Sequence, residues 1–212
     1  MYVAAFAEAE PVPQQARRRI DPKRSPFIAG FGSASWQRSA ALVRQQYQLK
    51  FDAHIEPDYP RYLGLRNADH APLAVIGVRS SAEQTLFCQR YLQTDLFERL
   101  AACSGVDVQP GQVVELGNLA LTRRRLLRPL FGHAHRWTRM RPFRWLVFCA
   151  TREVRLALAG TGAQLIELGP ARPESIGTDL PQWGRYFTHD PIVMAARTDQ
   201  SAVARAPIHR VG

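Results

Sequence analysis

The chain has 212 residues and 46% of them are hydrophobic, so it can bury the core of one domain with length left for arms. Its longest apolar runs, such as Trp145 to Ala150, are far too short to cross a bilayer. The first residues, MYVAAFAEAEPVPQQ, carry acids where a signal peptide needs basic residues. We therefore predict a soluble, cytoplasmic protein.

The net charge is +10, and the basic residues are concentrated in one part of the chain. Between Arg123 and Arg155 there are ten arginines against one acid, Glu153. Such a surface suits an acidic partner, whether phosphate groups, an anionic membrane or an acidic carrier protein. The alternative is a basic face that is merely solvated.

The domain is predicted to cover residues 33–198, between a proline-rich flexible arm (1–32) and a loose tail (199–212). After Gly30 and Gly32 the spacing of apolar residues predicts a helix over 35–51, with Ser35 as its N-cap. Trp36 in the first turn belongs to the apolar stripe, and we also consider it as a residue lining a ligand cavity.

Two short strands, 61–66 and 72–79, flank a turn and predict an antiparallel hairpin that ends at Arg79. A largely helical segment over 82–103 follows, with Asp95 as an internal cap and Gly105 as its stop. The next elements are predicted as a strand over 113–121, an amphipathic segment over 122–139, a buried strand over 145–150, a helix over 151–159 capped by Thr151, strands over 163–168 and 191–197, and a loop over 169–181 between the last two.

Pro129 interrupts the amphipathic segment, so its helix either begins near Arg128 or is kinked at the proline. A hairpin followed by alternating strands and helices predicts an α/β fold with a mixed sheet.

The strand over 113–121, VVELGNLAL, contains two residues that are unusual in a buried strand. Glu115 places an acid in an apolar run, and a buried carboxylate without a partner costs several kcal/mol. Gly117 is typical of a bulge or of close approach by another group. The pattern indicates a strand that opens beside a polar site. An edge strand with Glu115 in water is the alternative.

The motifs Glu115-Leu116-Gly117-Asn118-Leu119 and Trp183-Gly184-x-Tyr186 resemble the thermostable hemolysin family of bacterial proteins, over most of the chain from Trp36 to Arg197. That family is similar to a divergent branch of the GNAT acyltransferase superfamily, close to the acyl-homoserine lactone (autoinducer) synthases. The resemblance implies a twisted mixed sheet of about six to seven strands with helices on both faces. It also implies that the fourth and fifth strands splay apart to admit an acyl thioester.

The activity that this resemblance implies is transfer of a fatty acyl group from a thioester to a small amine. Glu115 is the expected general base. A backbone N–H near Gly117 would hold the thioester oxygen. Asn118 and Thr151 complete the implied catalytic set. The candidate substrate-binding residues are Arg79, Trp36, Gly117, Phe148, Trp183 and Tyr186. For Trp183 and Tyr186 the alternative is structural packing near the final strand.

The loop after the fourth strand departs from acyl-CoA enzymes of this superfamily, because it lacks the glycines that cradle pyrophosphate. Arginine side chains can replace a backbone cradle. The implied carrier- or phosphate-binding residues are Arg123, Arg124, Arg125 and Arg128. The acyl donor is expected to be acyl-carrier protein, slightly favoured, or acyl-CoA.

Two other functions are weighed against acyl transfer. A membrane-active protein without enzymatic activity would act through the basic amphipathic segment over 123–144, and peripheral contact with a membrane is also left open. Nucleic-acid binding has only the charge in its favour, because no known reader motif accompanies it. No Cys/His spacing indicates a metal. The sequence indicates neither the amine nor an oligomeric state.

Overall fold

The computed structural model describes residues 24–160 and 164–198. The predicted tail and residues 1–23 of the predicted arm lie outside the described residues. In the described ranges, seven strands form one sheet in the order β1-β2-β3-β4-β5-β7-β6. The strands are β1 Ser25–Gly30, β2 Arg61–Arg66, β3 Pro72–Ser80, β4 Val113–Leu121, β5 Trp145–Ala150, β6 Ile166–Pro170 and β7 Ile192–Arg197, and the α-helices are α1 Ala34–Phe51, α2 Leu96–Ser104, α3 Leu127–Arg139 and α4 Arg152–Ala159.

The mixed α/β sheet is confirmed, and helices cover both of its faces. Helices α3 and α4 pack on the face that carries Ile76 and Leu116. Helices α1 and α2 pack on the opposite face, against residues such as Val75 and Val113. Strands β4 and β5 run parallel, and the other adjacent pairs are antiparallel. No helix in the described ranges is long and apolar enough to cross a membrane.

The start of the domain differs from its prediction. Strand β1 lies in the stretch assigned to the arm, where it pairs with β2 at the edge of the sheet. An edge strand tolerates Pro26, because one side of its backbone needs no strand partner. Helix α1 is capped by Ser33, whose hydroxyl accepts from the backbone N–H of Trp36, so Ser35 as the N-cap was wrong.

The segment predicted as helical over 82–103 is a 3-10 helix, Phe87–Tyr91, followed by α2. Asp95 caps α2 by accepting from the N–H groups of Phe97 and Glu98, and Gly105 ends it in a left-handed conformation, as predicted.

Helix α3 begins at Leu127 with Pro129 in its first turn, which is the first of the two alternatives. Thr151 stands at the N-cap position of α4, but its side chain makes no capping hydrogen bond, so its predicted capping role was wrong. The segment predicted as a loop over 169–181 contains 3-10 turns within Pro173–Trp183, which are interrupted by a kink at Gly177.

The sheet opens between β4 and β5, which confirms the predicted splay. Among the described residues, their pairing runs from Val113–Trp145 to Leu116–Phe148 and stops there. Beyond this point β4 continues beside β3 alone, with a register shift that sets Asn118 and the next residue against Ile76. Asn118 adopts a positive φ of 48° in this bulge. The bulge bends β4 away from β5, as such insertions do.

Candidate functional site

Two cavities meet where β4 leaves β5. The first cavity, of about 260 Å³, lies between α1, β4, α3, β5 and α4. The second cavity, of about 220 Å³, lies between β4, the segment before β2, the Phe87–Tyr91 helix and the Trp183–Tyr186 region. Six residues line both: Tyr47, Leu116, Gly117, Asn118, Cys149 and Tyr186. The parted end of β4 therefore has one cavity on each side.

The Glu115 carboxylate lies on the wall of the second cavity and is 1% exposed. Its Oε2 accepts from the N–H of Phe87 at 2.7 Å, and its Oε1 accepts from the N–H of Cys88 at 2.9 Å. These N–H groups begin the 3-10 helix, where backbone donors lack partners within the helix. The helix start thus satisfies an acid inside an apolar strand, and the alternative of Glu115 in water was wrong.

Burial raises the pKa of Glu115, because the charged form loses its hydration. Hydrogen bonds from the Cys88 side chain and the Phe87 N–H oppose this rise. Each carboxylate oxygen accepts one backbone N–H and keeps further acceptor capacity. The carboxylate is therefore held in one position while it can still accept a proton.

Tyr59 crosses the sheet face at two glycines that oppose each other in β3 and β4, Gly77 and Gly117. A Cβ at Gly117 would stand 2.0 Å from the Tyr59 hydroxyl oxygen, and a Cβ at Gly77 would stand 2.5 Å from the ring. Sequence analysis did not identify Tyr59. The glycine pair was the available signal, because facing glycines leave room for a side chain to lie across two strands.

Trp36 packs in the core and is not among the described residues that line either cavity. Its indole N–H donates to the backbone oxygen of Tyr59 at 2.8 Å. Trp36 therefore supports the site indirectly, by holding the backbone of Tyr59.

Arg79 stands opposite Glu115 in the β3–β4 register and is 6% exposed. It forms an ion pair with Asp58 at 2.7 Å, and its guanidinium lies 4.6 Å from the centre of the Tyr59 ring. In the described part of the chain it lines neither cavity. Arg79 thus supports Tyr59 and adds positive charge beside Glu115.

Asn118 belongs to β4 and Thr151 follows β5, so they come from the two strands that part. Asn118 lines both cavities, and its amide Nδ2 donates to the Tyr62 hydroxyl at 3.2 Å. Thr151 lines the first cavity and is buried, and its hydroxyl has no hydrogen-bond partner among residues 24–160 and 164–198. A buried hydroxyl without a partner carries a desolvation cost.

The C-terminal motif reaches the site from the far end of the chain. Tyr186 lines both cavities, and its hydroxyl donates to the Cys149 sulfur at 3.6 Å. Trp183 lines the second cavity, whereas Phe148 lines the first. Burial raises the pKa of Cys149 to about 12, so this thiol stays protonated at neutral pH.

The four arginines that were predicted to bind the carrier or the phosphate of the acyl donor do not all line the first cavity. Arg124 lines it, beside an ion pair between Lys50 and Glu153 that joins α1 to α4. Arg123 and Arg125 are exposed and not among its lining residues. The fourth, at position 128, is exposed and donates to the Gly160 oxygen at 3.4 Å.

Metal ligands do not cluster in the described residues: no group of three or more His, Cys, Asp or Glu side chains is placed to hold an ion.

Several solved structures that share this fold are acyl-homoserine lactone or N-acyl amino acid synthases. The AHL synthase LasI aligns with a TM-score of 0.57 at 11% identity, covering 89% of this chain and 98% of LasI. The N-acyl amino acid synthase FeeM from uncultured soil microbes gives 0.58 at 13% identity, covering 84% and 92%. The CoA-dependent acyl-homoserine lactone synthase BjaI, solved with MTA, gives 0.59 at 10% identity, covering 85% and 86%. The fold is thus the GNAT-like fold of this class.

The family follows from the sequence itself. The family described as Thermostable hemolysin matches residues 30–202, and the chain belongs to this family. Among curated proteins, no relative matches the sequence.

Proposed function

We propose that this protein is an N-acyltransferase that acts in the cytoplasm and moves a fatty acyl group from a thioester to a small amine. The observation that carries the proposal is the meeting of two cavities at Gly117 and Asn118, where β4 parts from β5. One cavity can hold the acyl donor while the other holds the acceptor, so the two reacting groups are brought together without a covalent intermediate on the protein.

The first cavity suits the donor. Its inner wall is largely apolar, with residues such as Leu121, Phe131 and Val154 that can pack against an acyl chain. Lys50 and Arg124 add positive charge, which suits the phosphate of a pantetheine arm. Beyond Gly117, the side of β4 that would pair with β5 lacks a strand partner in the described chain, so a backbone N–H there can donate to the thioester oxygen.

The second cavity suits the acceptor, with Glu115 as the general base. The amine nitrogen bonds to the thioester carbonyl carbon as the C–S bond breaks. The proton that the nitrogen loses passes to the Glu115 carboxylate, directly or through a water, and then to the leaving thiolate. The products are an amide and a free thiol. A raised pKa suits this role, because it makes the carboxylate a stronger base.

The donor is proposed to be acyl-carrier protein or acyl-CoA. The related fold of BjaI has been solved with SAM and isopentyl-CoA, which supports a thioester of this class. The exposed arginines at 123, 125 and 128 flank the first cavity's Arg124 in sequence and suit the acidic surface of a carrier protein.

Direct membrane action through the segment over 123–144 is less well supported. The apolar side chains of α3 are used in the core, where Leu130, Ala134 and Trp137 are buried against the sheet. An amphipathic helix that binds a bilayer needs its apolar face for the lipid.

The test is thiol release by purified protein from acyl-CoA and from acyl-carrier protein, with and without a panel of primary amines. We expect amine-dependent release that Glu115→Gln reduces by about 10²–10⁴-fold, the usual contribution of a general base. Amine-independent release, or none, together with liposome leakage that Glu115→Gln leaves unchanged, would contradict the proposal and support the membrane alternative.

A further inference from the structure

We infer that the acceptor is a diamine-like amine, which carries a second positive charge and no carboxylate. This inference rests on the proposed function and concerns the second cavity. It follows from the charges and the aromatic rings that line this cavity, which differ from those of the first.

The two cavities differ in the sign of their charge. The second cavity is lined by four acids, Glu56, Asp58, Glu115 and Asp179, and by one arginine, Arg90. Three of these acids form ion pairs with arginines, so four carboxylates face three guanidinium groups and the balance is one negative charge while Glu115 is ionised. The first cavity has two basic residues against one acid. The net charge of the chain is +10, so this cavity differs in sign from the chain as a whole, and a negative lining favours cations.

Aromatic rings form much of the remaining wall of the second cavity. Its lining includes Tyr47, Tyr59, Phe87, Tyr91, Trp183 and Tyr186. The rings of Phe87 and Trp183 lie 5.7 Å apart. The guanidinium of Arg90 lies 5.0 Å from the centre of the Phe87 ring, which shows that this ring already has a cation as a neighbour. Aromatic walls beside carboxylates are a typical environment for an organic ammonium group.

An amino-acid acceptor fits this lining poorly, because its carboxylate would need a cation. Arg90 is the one basic residue among the described residues that line the cavity. Its guanidinium donates to the Asp179 carboxylate at 2.9 Å and to the Ile176 oxygen at 3.0 Å. A substrate carboxylate would meet a guanidinium whose charge Asp179 already balances, and it would add negative charge to a cavity that is already negative.

The negative groups occupy two depths. Glu115 is 1% exposed, whereas the side chains of Asp58 and Asp179 are 64% and 43% exposed and so stand at the mouth. A linear diamine can place its reacting nitrogen at Glu115 and its second ammonium group at the mouth, where it would share the Asp58 and Asp179 carboxylates with their arginine partners. A monoamine satisfies the inner position alone.

Three probes of similar length test the preference for a diamine: cadaverine, pentylamine and 5-aminopentanoate (aminopentanoate below), each as acceptor in the thiol-release assay. We expect kcat/KM for cadaverine to exceed that for pentylamine by about tenfold, which corresponds to about 1.4 kcal/mol, and aminopentanoate to be the poorest. In Asp179→Asn, the preference for cadaverine over pentylamine should shrink severalfold, and aminopentanoate should gain because Arg90 loses its partner.

Asp69→Asn is the matched control, since Asp69 is an exposed acid in the β2–β3 turn. It should keep the wild-type preference. Glu56→Gln removes another of the cavity's acids, and it is expected to fold because this side chain is 77% exposed. It should also reduce the preference for cadaverine over pentylamine. If pentylamine or aminopentanoate reacts as well as cadaverine, the inference is wrong while the proposed acyl transfer stands. If no amine raises thiol release above hydrolysis, both are wrong.

Discussion

The hydroxyl of Tyr59 occupies the space that a Cβ at Gly117 would need, at the residue where β4 loses its pairing with β5. The guanidinium of Arg79 packs on the Tyr59 ring, and the indole N–H of Trp36 donates to the Tyr59 backbone oxygen. Because Tyr59 lines the second cavity, this contact fixes one wall of the acceptor site next to the opening of the sheet.

Gly117→Ala should destabilise the protein and lower acyl transfer. The new Cβ would stand 2.0 Å from the Tyr59 oxygen and 2.5 Å from its Cζ, so the ring must move. Overpacking of this kind costs about 1–3 kcal/mol, measured as the free energy of unfolding in urea. Adding Tyr59→Phe should not restore stability, because Cζ remains.

Gly30→Ala is the control for this prediction. No atom lies within 4 Å of a Cβ built at Gly30, so this variant should unfold like the wild type. Equal stability of the two alanine variants would show that Tyr59 does not rest on Gly117.

The rate of acyl transfer should fall on acidification, with a midpoint above the ordinary glutamate pKa of 4.5. Glu115 must be ionised to accept a proton, and burial raises its pKa. The acidic limb should appear in kcat/KM measured against pH and should be absent from the residual rate of Glu115→Gln. If the acidic limb of the pH profile persists in Glu115→Gln, a titrating group other than Glu115 causes it.

The same carboxyl should make folding less favourable as pH rises. A raised pKa means that the folded state binds the proton more tightly than the unfolded state, so its contribution to stability is largest below pH 4.5. That contribution declines as pH rises from 4.5 through the raised pKa and is constant above it. Urea unfolding across this window should show the decline in the wild type and its loss in Glu115→Gln.

Much of the fold was predictable from local patterns. The runs 61–66, 113–121 and 145–150 are apolar, bounded by turn residues, and form strands with the predicted bounds. Strand β1 was missed because Pro26 and Gly30 are typical of an arm, and only pairing with β2 makes that stretch a strand. The Phe87–Tyr91 3-10 helix was predicted as part of a longer helix. Its first N–H groups donate to Glu115 of a distant strand, and the local sequence gives no indication of that contact.

The candidate site was predictable in part. An acid and a glycine in one apolar strand indicated the opening of β4, and the structure places Glu115 and Gly117 there. For Tyr59 the glycines of β3 and β4 became a signal only once their register was known, and the acids at the mouth, Asp58 and Asp179, gave none. They come from irregular segments whose positions depend on tertiary packing, which no short-range pattern encodes.

Thr151→Val should leave the free protein as stable as the wild type or up to about 1 kcal/mol more stable, while raising KM for the acyl donor. The hydroxyl is buried beside the first cavity without a partner in the described chain, so its removal relieves a desolvation cost until a ligand is bound. Thr138→Val is the matched control: this buried hydroxyl donates to the His135 oxygen at 2.9 Å, and its loss should cost about 1 kcal/mol. A comparable loss in Thr151→Val, with an unchanged donor KM, would contradict a role in donor binding.

Arg124→Ala and Arg125→Ala should separate the two candidate donors. Arg124 lines the first cavity, so its loss should remove the proposed contact to the pantetheine phosphate that acyl-CoA and acyl-carrier protein share, and KM should rise about 5- to 10-fold for both. Arg125 is exposed and is not among the described residues that line the cavity, so its loss should raise KM for the larger carrier alone, less so at high salt. Arg38→Ala, an exposed arginine on α1, controls for the loss of one positive charge. If Arg125→Ala leaves carrier KM unchanged at low salt, this arginine does not dock the carrier, and free acyl-CoA becomes the better-supported donor.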